Sequence, residues 1–197
     1  EISGLGVVRI LDAIRHIKPD IKFYQASTSE MFGGINNAPQ NEETPFNPRS
    51  PYAAAKLYAH SVTINYREAY NLYACCGILF NHESPLRGIE FVTRKITYNL
   101  SKIKLGLLNK VELGNLDSKR DWGHAKDYVK AMWSMLQLDN PEEFVIATGK
   151  NFTITEFGQI TAEYLGLRWE DCITENKKYF RPTEVNELLG NPKKAID

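Results

Sequence analysis

Residues 72–80, LYACCGILF, form an unbroken apolar run, with the helical pattern 51–71 before it and the polar segment Asn81-His82-Glu83 after it. A run this short and this apolar reads as a strand buried on both faces, the situation of an inner strand in a parallel sheet. A second strand is expected at Phe23-Tyr24-Gln25-Ala26. Ahead of it, residues 3–18 carry Val7, Ile10, Leu11, Ile14 and Ile17 at helical spacing, and Pro19 ends the run. His16 falls in the last turn, where a cation suits the helix dipole, and reads as a surface residue. Helix, strand, loop, helix and strand in this order predict a parallel α/β sheet with its site at the carboxyl ends of the strands.

Polar chemistry gathers at those ends. The first strand breaks into Ser27-Thr28-Ser29-Glu30. If extended geometry continues, alternation sends Thr28 and Glu30 to the same side, about 7 Å apart. After Pro48-Arg49-Ser50-Pro51 the next helix carries Tyr52 and Lys56 one turn apart on one face. A tyrosine phenol titrates near about pH 10 and is a poor base at neutral pH. An adjacent ammonium in a partly dry cleft favours the phenolate, so Lys56 is expected to bring Tyr52 toward a working pH. The spacing alone is weak, because Tyr98 and Lys102 repeat it. What sets Tyr52 and Lys56 apart is the hydroxyl and acid upstream and the proline-led start. The second strand likewise ends in Asn81-His82-Glu83-Ser84-Pro85-Leu86-Arg87-Gly88. A plain turn uses Asn, Ser, Pro and Gly but gains little from His, Glu and Arg.

Beyond residue 91 the pattern changes. A helix is expected over 91–108, a short strand over 111–114, a helix over 125–138 and a strand over 144–148. Thr153-Ile154-Thr155-Glu156 is a capping box opening a helix that ends near Gly166. This reads as a smaller α+β lobe, dividing the chain into 1–91 and 92–197, with Trp133 and Met135 in the lobe's core. Composition is that of an ordinary globular chain: 43% hydrophobic, 24% charged and a formal net charge of zero. It offers no basic excess for nucleic acid and no apolar run long enough for a bilayer. Cys75, Cys76 and Cys172 lack metal-ligand spacing, so no metal is expected and the thiols read as packed and reduced, in a cytoplasmic setting. No Gly-rich turn lies between a strand and a helix; Gly4-Leu5-Gly6 has no such context.

Ser-Thr-Ser-Glu-Met-Phe-Gly followed by Pro-Tyr-Ala-Ala-Ala-Lys resembles the catalytic core of the extended short-chain dehydrogenase/reductases. More narrowly, the chain resembles the GDP-mannose 4,6-dehydratases over nearly its whole length. That likeness rests on Thr28-Ser29-Glu30, where dTDP-glucose dehydratases usually show Thr-Asp-Glu and sugar-nucleotide epimerases carry no acid. It rests equally on Asn81-His82-Glu83-Ser84-Pro85 and Arg120-Asp121-Trp122-Gly123-His124.

The resemblance implies a Rossmann-like doubly wound sheet of which this chain is the second half, the glycine-rich N-terminal half and the last helix lying outside it, with a sugar-nucleotide lobe. It implies Thr28, Glu30, Tyr52 and Lys56 as catalytic residues and Tyr52, Lys56, His82 and Arg87 as NADP contacts. Asn81, Lys95, Arg120, Arg181 and Glu184 would line the GDP-mannose site, the cations suiting a diphosphate. Asp121 and Trp122 would hold the Arg120 loop. The implied activity is conversion of GDP-mannose to GDP-4-keto-6-deoxymannose, on the way to GDP-fucose-type sugars, by a homodimer or homotetramer paired through the helices at 4–18 and 51–71. A 4-epimerase or 4-reductase would need Tyr52 and Lys56 but no base for C5, and a nucleotide-binding scaffold would need no such set; Glu30 sets the chain apart from both.

Overall fold

The computed structural model describes residues 2–33, 39–180 and 183–197. Helix α1 (Leu5–Ile17) leads to strand β1 (Phe23–Thr28), and α2 (Pro51–Tyr70) leads to β2 (Ala74–Leu79) and the short β3 (Asn81–Glu83). There follow α3 (Val92–Lys104), β4 (Val111–Leu113), β5 (Lys119–Arg120), β6 (Trp122–His124), α4 (Ala125–Met135) and β7 (Glu143–Ile146). The chain ends with β8 (Phe152–Thr153), α5 (Ile154–Tyr164), α6 (Trp169–Cys172), β9 (Ile173–Glu175) and α7 (Lys193–Ile196).

Strands β1, β2 and β7 form a parallel sheet in that order, with Phe23 opposite Ala74 and Gly77 opposite Phe144. Strand β2 is central and buried along its whole length, which is what its two-faced apolar sequence requires. One face packs on α1 and α2 through Val7, Leu11, Ala59 and Ala74. The other packs on α4 through Cys75, Leu79, Tyr128, Met135 and Ile146. Asn71 closes α2 in the left-handed conformation, φ 55°, so the chain can reverse into β2.

A second core lies apart from the sheet, where α3, α5, α6, β4 and β9 bury Ile96, Leu100, Leu113, Ala162 and Trp169. The chain is nevertheless not cut cleanly between residues 91 and 92. Strand β7 returns to hydrogen-bond the open edge of β2, and α4 covers the sheet beneath it. Val185 and Leu188 also join Met31, Phe32, Ile78 and Phe80 in a core at the carboxyl end of the sheet. Met135 is therefore buried under the central sheet rather than in the second lobe. Trp133, expected in the core, is 64% exposed, because residues two apart on a helix lie on nearly opposite sides. No helix among the described residues is long and apolar enough to cross a membrane.

Candidate active site

Strand β1 does not run on past Thr28 as simple alternation would have it. Residues 29–31 turn into one short 3-10 helix, and Thr28 caps it, its Oγ1 accepting the Glu30 amide at 3.3 Å. A threonine hydroxyl at a helix start satisfies an amide that would otherwise lack a partner, and here this outweighs continued extension. The turn, not the strand pleat, thus brings Glu30 beside the end of the sheet.

Helix α2 begins where it does because Ser50 Oγ accepts the Ala53 amide at 3.1 Å and Pro51 occupies the first turn. Tyr52 is half exposed, and the part-buried Lys56 donates from Nζ to the Ala26 carbonyl at 2.9 Å, with Nζ 5.9 Å from the Tyr52 ring centre. Burial raises the Tyr52 pKa and the Glu30 carboxylate adds to the rise; a hydrogen bond with the Thr28 side chain and the Arg87 charge oppose it. Burial likewise lowers the Lys56 pKa. In this arrangement desolvation is the larger influence, and Arg87 is a cation that favours the phenolate.

Beside this edge lies a cavity of about 290 Å³ whose walls include Glu30, Asn81, Arg87, Lys95, Arg120 and Glu184. The parallel pairing of β3 with β6 sets Asn81 opposite Trp122, joining two motifs that lie far apart in the chain. Arg120, 8% exposed, donates to its neighbour's carbonyl, Lys119 O, at 2.9 Å and lies 3.5 Å from Glu184 Oε1. Ser118 Oγ reaches the same carboxylate oxygen at 3.4 Å. Lys95 donates to Glu112 O at 2.7 Å and sits 4.6 Å above the Tyr179 ring. A cavity with Glu30, Lys95 and Arg120 in its wall can take a ligand that carries both hydroxyls and an anionic group.

Asp121 is fully buried and accepts from Thr148 N at 2.9 Å, Thr148 Oγ1 at 2.6 Å and Gly149 N at 3.0 Å. It is thus built into the loop that carries Arg120. Trp122, expected only to brace that loop, also lines the cavity, its ring tilted against Phe157 at 5.4 Å. His82 does not line it. The ring stacks on Tyr128 at 4.7 Å, and Nδ1 donates to Phe80 O at 2.9 Å. Arg181 lies outside the described residues.

Glu83, singled out in the sequence with its strand-end cluster, also lines the cavity, as do Ser118 and Tyr179, which the sequence did not announce. Glu83 accepts from Thr93 Oγ1 at 2.6 Å and faces Arg87 Nε at 3.2 Å, while the Arg87 guanidinium lies 3.5 Å over the Phe91 ring. An acid at a strand's carboxyl end was the available signal for Glu83; Ser118 and Tyr179 arrive by long-range packing and gave none. Among the described residues no group of His, Cys, Asp and Glu is arranged to hold a metal.

A parallel sheet flanked by helices, with a tyrosine and a lysine one helical turn apart at its carboxyl edge, defines an extended short-chain dehydrogenase/reductase. Solved structures agree on the fold. A dTDP-glucose 4,6-dehydratase from Bacillus anthracis in complex with NAD superposes with a TM-score of 0.86 at 23% identity, over 98% of this chain and 60% of that one. A second structure, RMD from Pseudomonas aeruginosa complexed with NADPH, gives 0.88 at 23% identity, over 98% and 65%. Within that class the chain belongs to the GDP-mannose 4,6 dehydratase family, whose model matches residues 1–197. GDP-mannose 4,6 dehydratase 1 of Arabidopsis thaliana is 54% identical over 99% of this chain and 55% of its own length. The chain thus spans a little over half the length of such relatives.

Proposed function

We propose that the protein carrying this chain is an NADP-dependent lyase that converts GDP-mannose to GDP-4-keto-6-deoxymannose and water, and that it works in the cytoplasm. The observation that carries the reading is the single cavity that joins Glu30, at the edge shared with Tyr52 and Thr28, to Lys95 and Arg120. The named activity of 54% identical relatives supports it.

The donor set suits a nicotinamide dinucleotide. A phenol and an ammonium one helical turn apart can both bond the neighbouring hydroxyls of a ribose, and Arg87 beside them adds a donor fork. Tyr52, Lys56, His82 and Arg87 are the residues assigned to it, and relatives of the fold were solved with NAD and with NADPH. A bound nicotinamide would supply the hydride acceptor and donor, so that the conversion would have no net redox change.

The chain's own residues manage the protons. Tyr52 takes the proton of the C4 hydroxyl, with Thr28 bonded to the same oxygen. The ketone so formed acidifies the C5 proton, which Glu30 removes. Glu30 then delivers a proton to the departing C6 hydroxyl, which leaves as water. As the resulting C5–C6 double bond is reduced, Tyr52, in exchange with solvent, gives up its proton to C5. Asn81, Lys95, Arg120, Arg181 and Glu184 hold the sugar nucleotide, the cations on its diphosphate. The lobe around α3 and α5 is assigned to that binding, and the assembly is a homodimer or homotetramer.

Glu30→Gln tests the reading, since it keeps the side chain's shape and removes its basicity. A positioned base contributes about a hundred- to ten-thousandfold in rate. In deuterated water the wild type should turn GDP-mannose into a 6-deoxy product labelled at C5, and the variant should make almost none. Formation of 6-deoxy product by Glu30→Gln at near the wild-type rate would remove the base from C5 and the dehydratase assignment with it.

A further inference from the structure

One stripe of α2 carries Tyr52, Lys56 and His60 at four-residue spacing, and it lies against three successive residues of β1. Lys56 Nζ bonds Ala26 O at 2.9 Å, the Tyr52 phenol faces the side chain of Thr28, and His60 Nδ1 lies 2.9 Å from Ser27 Oγ. The third contact has no part in the chemistry above. It is also the most enclosed: His60 and Ser27 are each 3% exposed. The His60 ring stands edge-on to Phe46 at 5.2 Å, and its backbone carbonyl faces Cys76 Sγ at 3.9 Å.

Near Tyr52 helix α2 packs through small side chains, Ala53 and Ala59, both fully buried, while at its far end Arg67 donates to Ala74 O at 3.2 Å and pairs with Glu143 of β7. Alanine contacts do not fix the rotation of the helix at the Tyr52 end. A buried directional bond does, because displacing it strands two polar groups without water. We propose that His60 and Ser27 are positioning residues, whose bond fixes the depth and rotation of α2 on β1 and thereby keeps Tyr52 on Thr28 and Lys56 on the Ala26 carbonyl. The inference rests on the proposed function for the reaction it serves, but its geometry does not.

Three variants test it. His60→Asn places an amide atom where Nδ1 stood and retains the bond; His60→Leu and Ser27→Ala each remove it. The Tyr52 phenol is followed by carbon NMR titration, assigned with Tyr52→Phe, and turnover of GDP-mannose is measured alongside. The charges that act on the two groups are Glu30 and Arg87 for Tyr52, and Glu143 and Arg67 for His60; all stay in place in every variant. His60→Leu and Ser27→Ala should move the Tyr52 titration upward, as the Thr28 bond loosens. They should cut kcat by about ten- to a hundredfold while KM moves little, as expected for small misplacement of a reacting group. The double variant should be no worse than either single one. His60→Asn should restore both the titration and kcat.

If Ser27→Ala keeps the wild-type titration and kcat, or if His60→Asn behaves as His60→Leu, the pair only fills space and the proposal fails. Should His60→Leu not fold, Ser27→Ala decides alone. Absence of wild-type turnover would count against the proposed function and leave the titration to decide the positioning role.

Discussion

His60 carries a cost as well as a role. Burial lowers its pKa and Arg67 adds to the effect, with Glu143 opposing, so the folded chain holds this imidazole neutral. The unfolded chain binds the proton more readily, at about pH 6.5. Above that value both states are neutral and the contribution to stability is whole; as pH falls below it toward the lower folded value, the unfolded state gains protons and stability is lost. Urea denaturation between neutral and mildly acidic pH should therefore show a decline below about pH 6.5 that is absent in His60→Asn. Equal declines in the two proteins would mean that His60 accepts the proton without penalty. Residues of this kind show where the sequence was readable. Thr28, Glu30, Tyr52 and Lys56 sit in two short motifs, so local order alone announced them. His60 sat in plain view on the same helix stripe, yet its meaning depends on Ser27, reached only through tertiary packing. The direction of the Tyr52 shift was illegible for the same reason, since burial is a property of the folded whole.

Elements were easier to read than their assignment to layers. The expected helices at 3–18, 51–71, 91–108 and 125–138 correspond to α1, α2, α3 and α4, because 3.6-residue periodicity and caps are local signals. The strand expected at 144–148 forms one residue earlier, but in the central sheet and not the second lobe; a short apolar strand carries no mark of its partner. The capping box is the fullest local match. Thr153 Oγ1 accepts the Glu156 amide at 3.0 Å, and Glu156 Oε2 accepts the Thr153 amide at 2.7 Å, starting the helix that carries Phe157 and Ala162 into the second core. Thr153→Ala should lower unfolding stability by about 1 kcal/mol, the usual value of such a cap, and leave kcat unchanged. A large loss of kcat with stability intact would show that the start of α5 shapes the cavity directly, a result made conceivable by Ile154 in its wall.

At the scale of the molecule, the α1 and α2 pair leaves several large apolar side chains exposed among the described residues. Leu5, Ile10 and Ile17 of α1 and Tyr58 and Tyr70 of α2 are at least two-fifths exposed, a concentration that isolated monomers seldom display. Some of it is held rigid: Tyr70 meets Tyr66 edge-on at 5.1 Å and takes the Arg15 guanidinium over its ring at 3.7 Å. Rigid aromatic and aliphatic groups lose little freedom on association, which suits them to a permanent interface. A two-fold axis would set α1 and α2 against the same pair of a second copy, since a self-complementary patch is what a symmetric dimer uses. The protein is therefore expected to sediment as a dimer, or a dimer of dimers, at micromolar concentration. Ile10→Glu combined with Tyr58→Glu would place four carboxylates in that interface, and burying unpaired charge costs several kcal/mol per ion. The pair should shift the protein to monomer. Because both side chains already face outward, the fold itself should survive, with the circular-dichroism spectrum unchanged. A wild type that stays monomeric at these concentrations, or a double variant that still pairs, would move the interface away from α1 and α2.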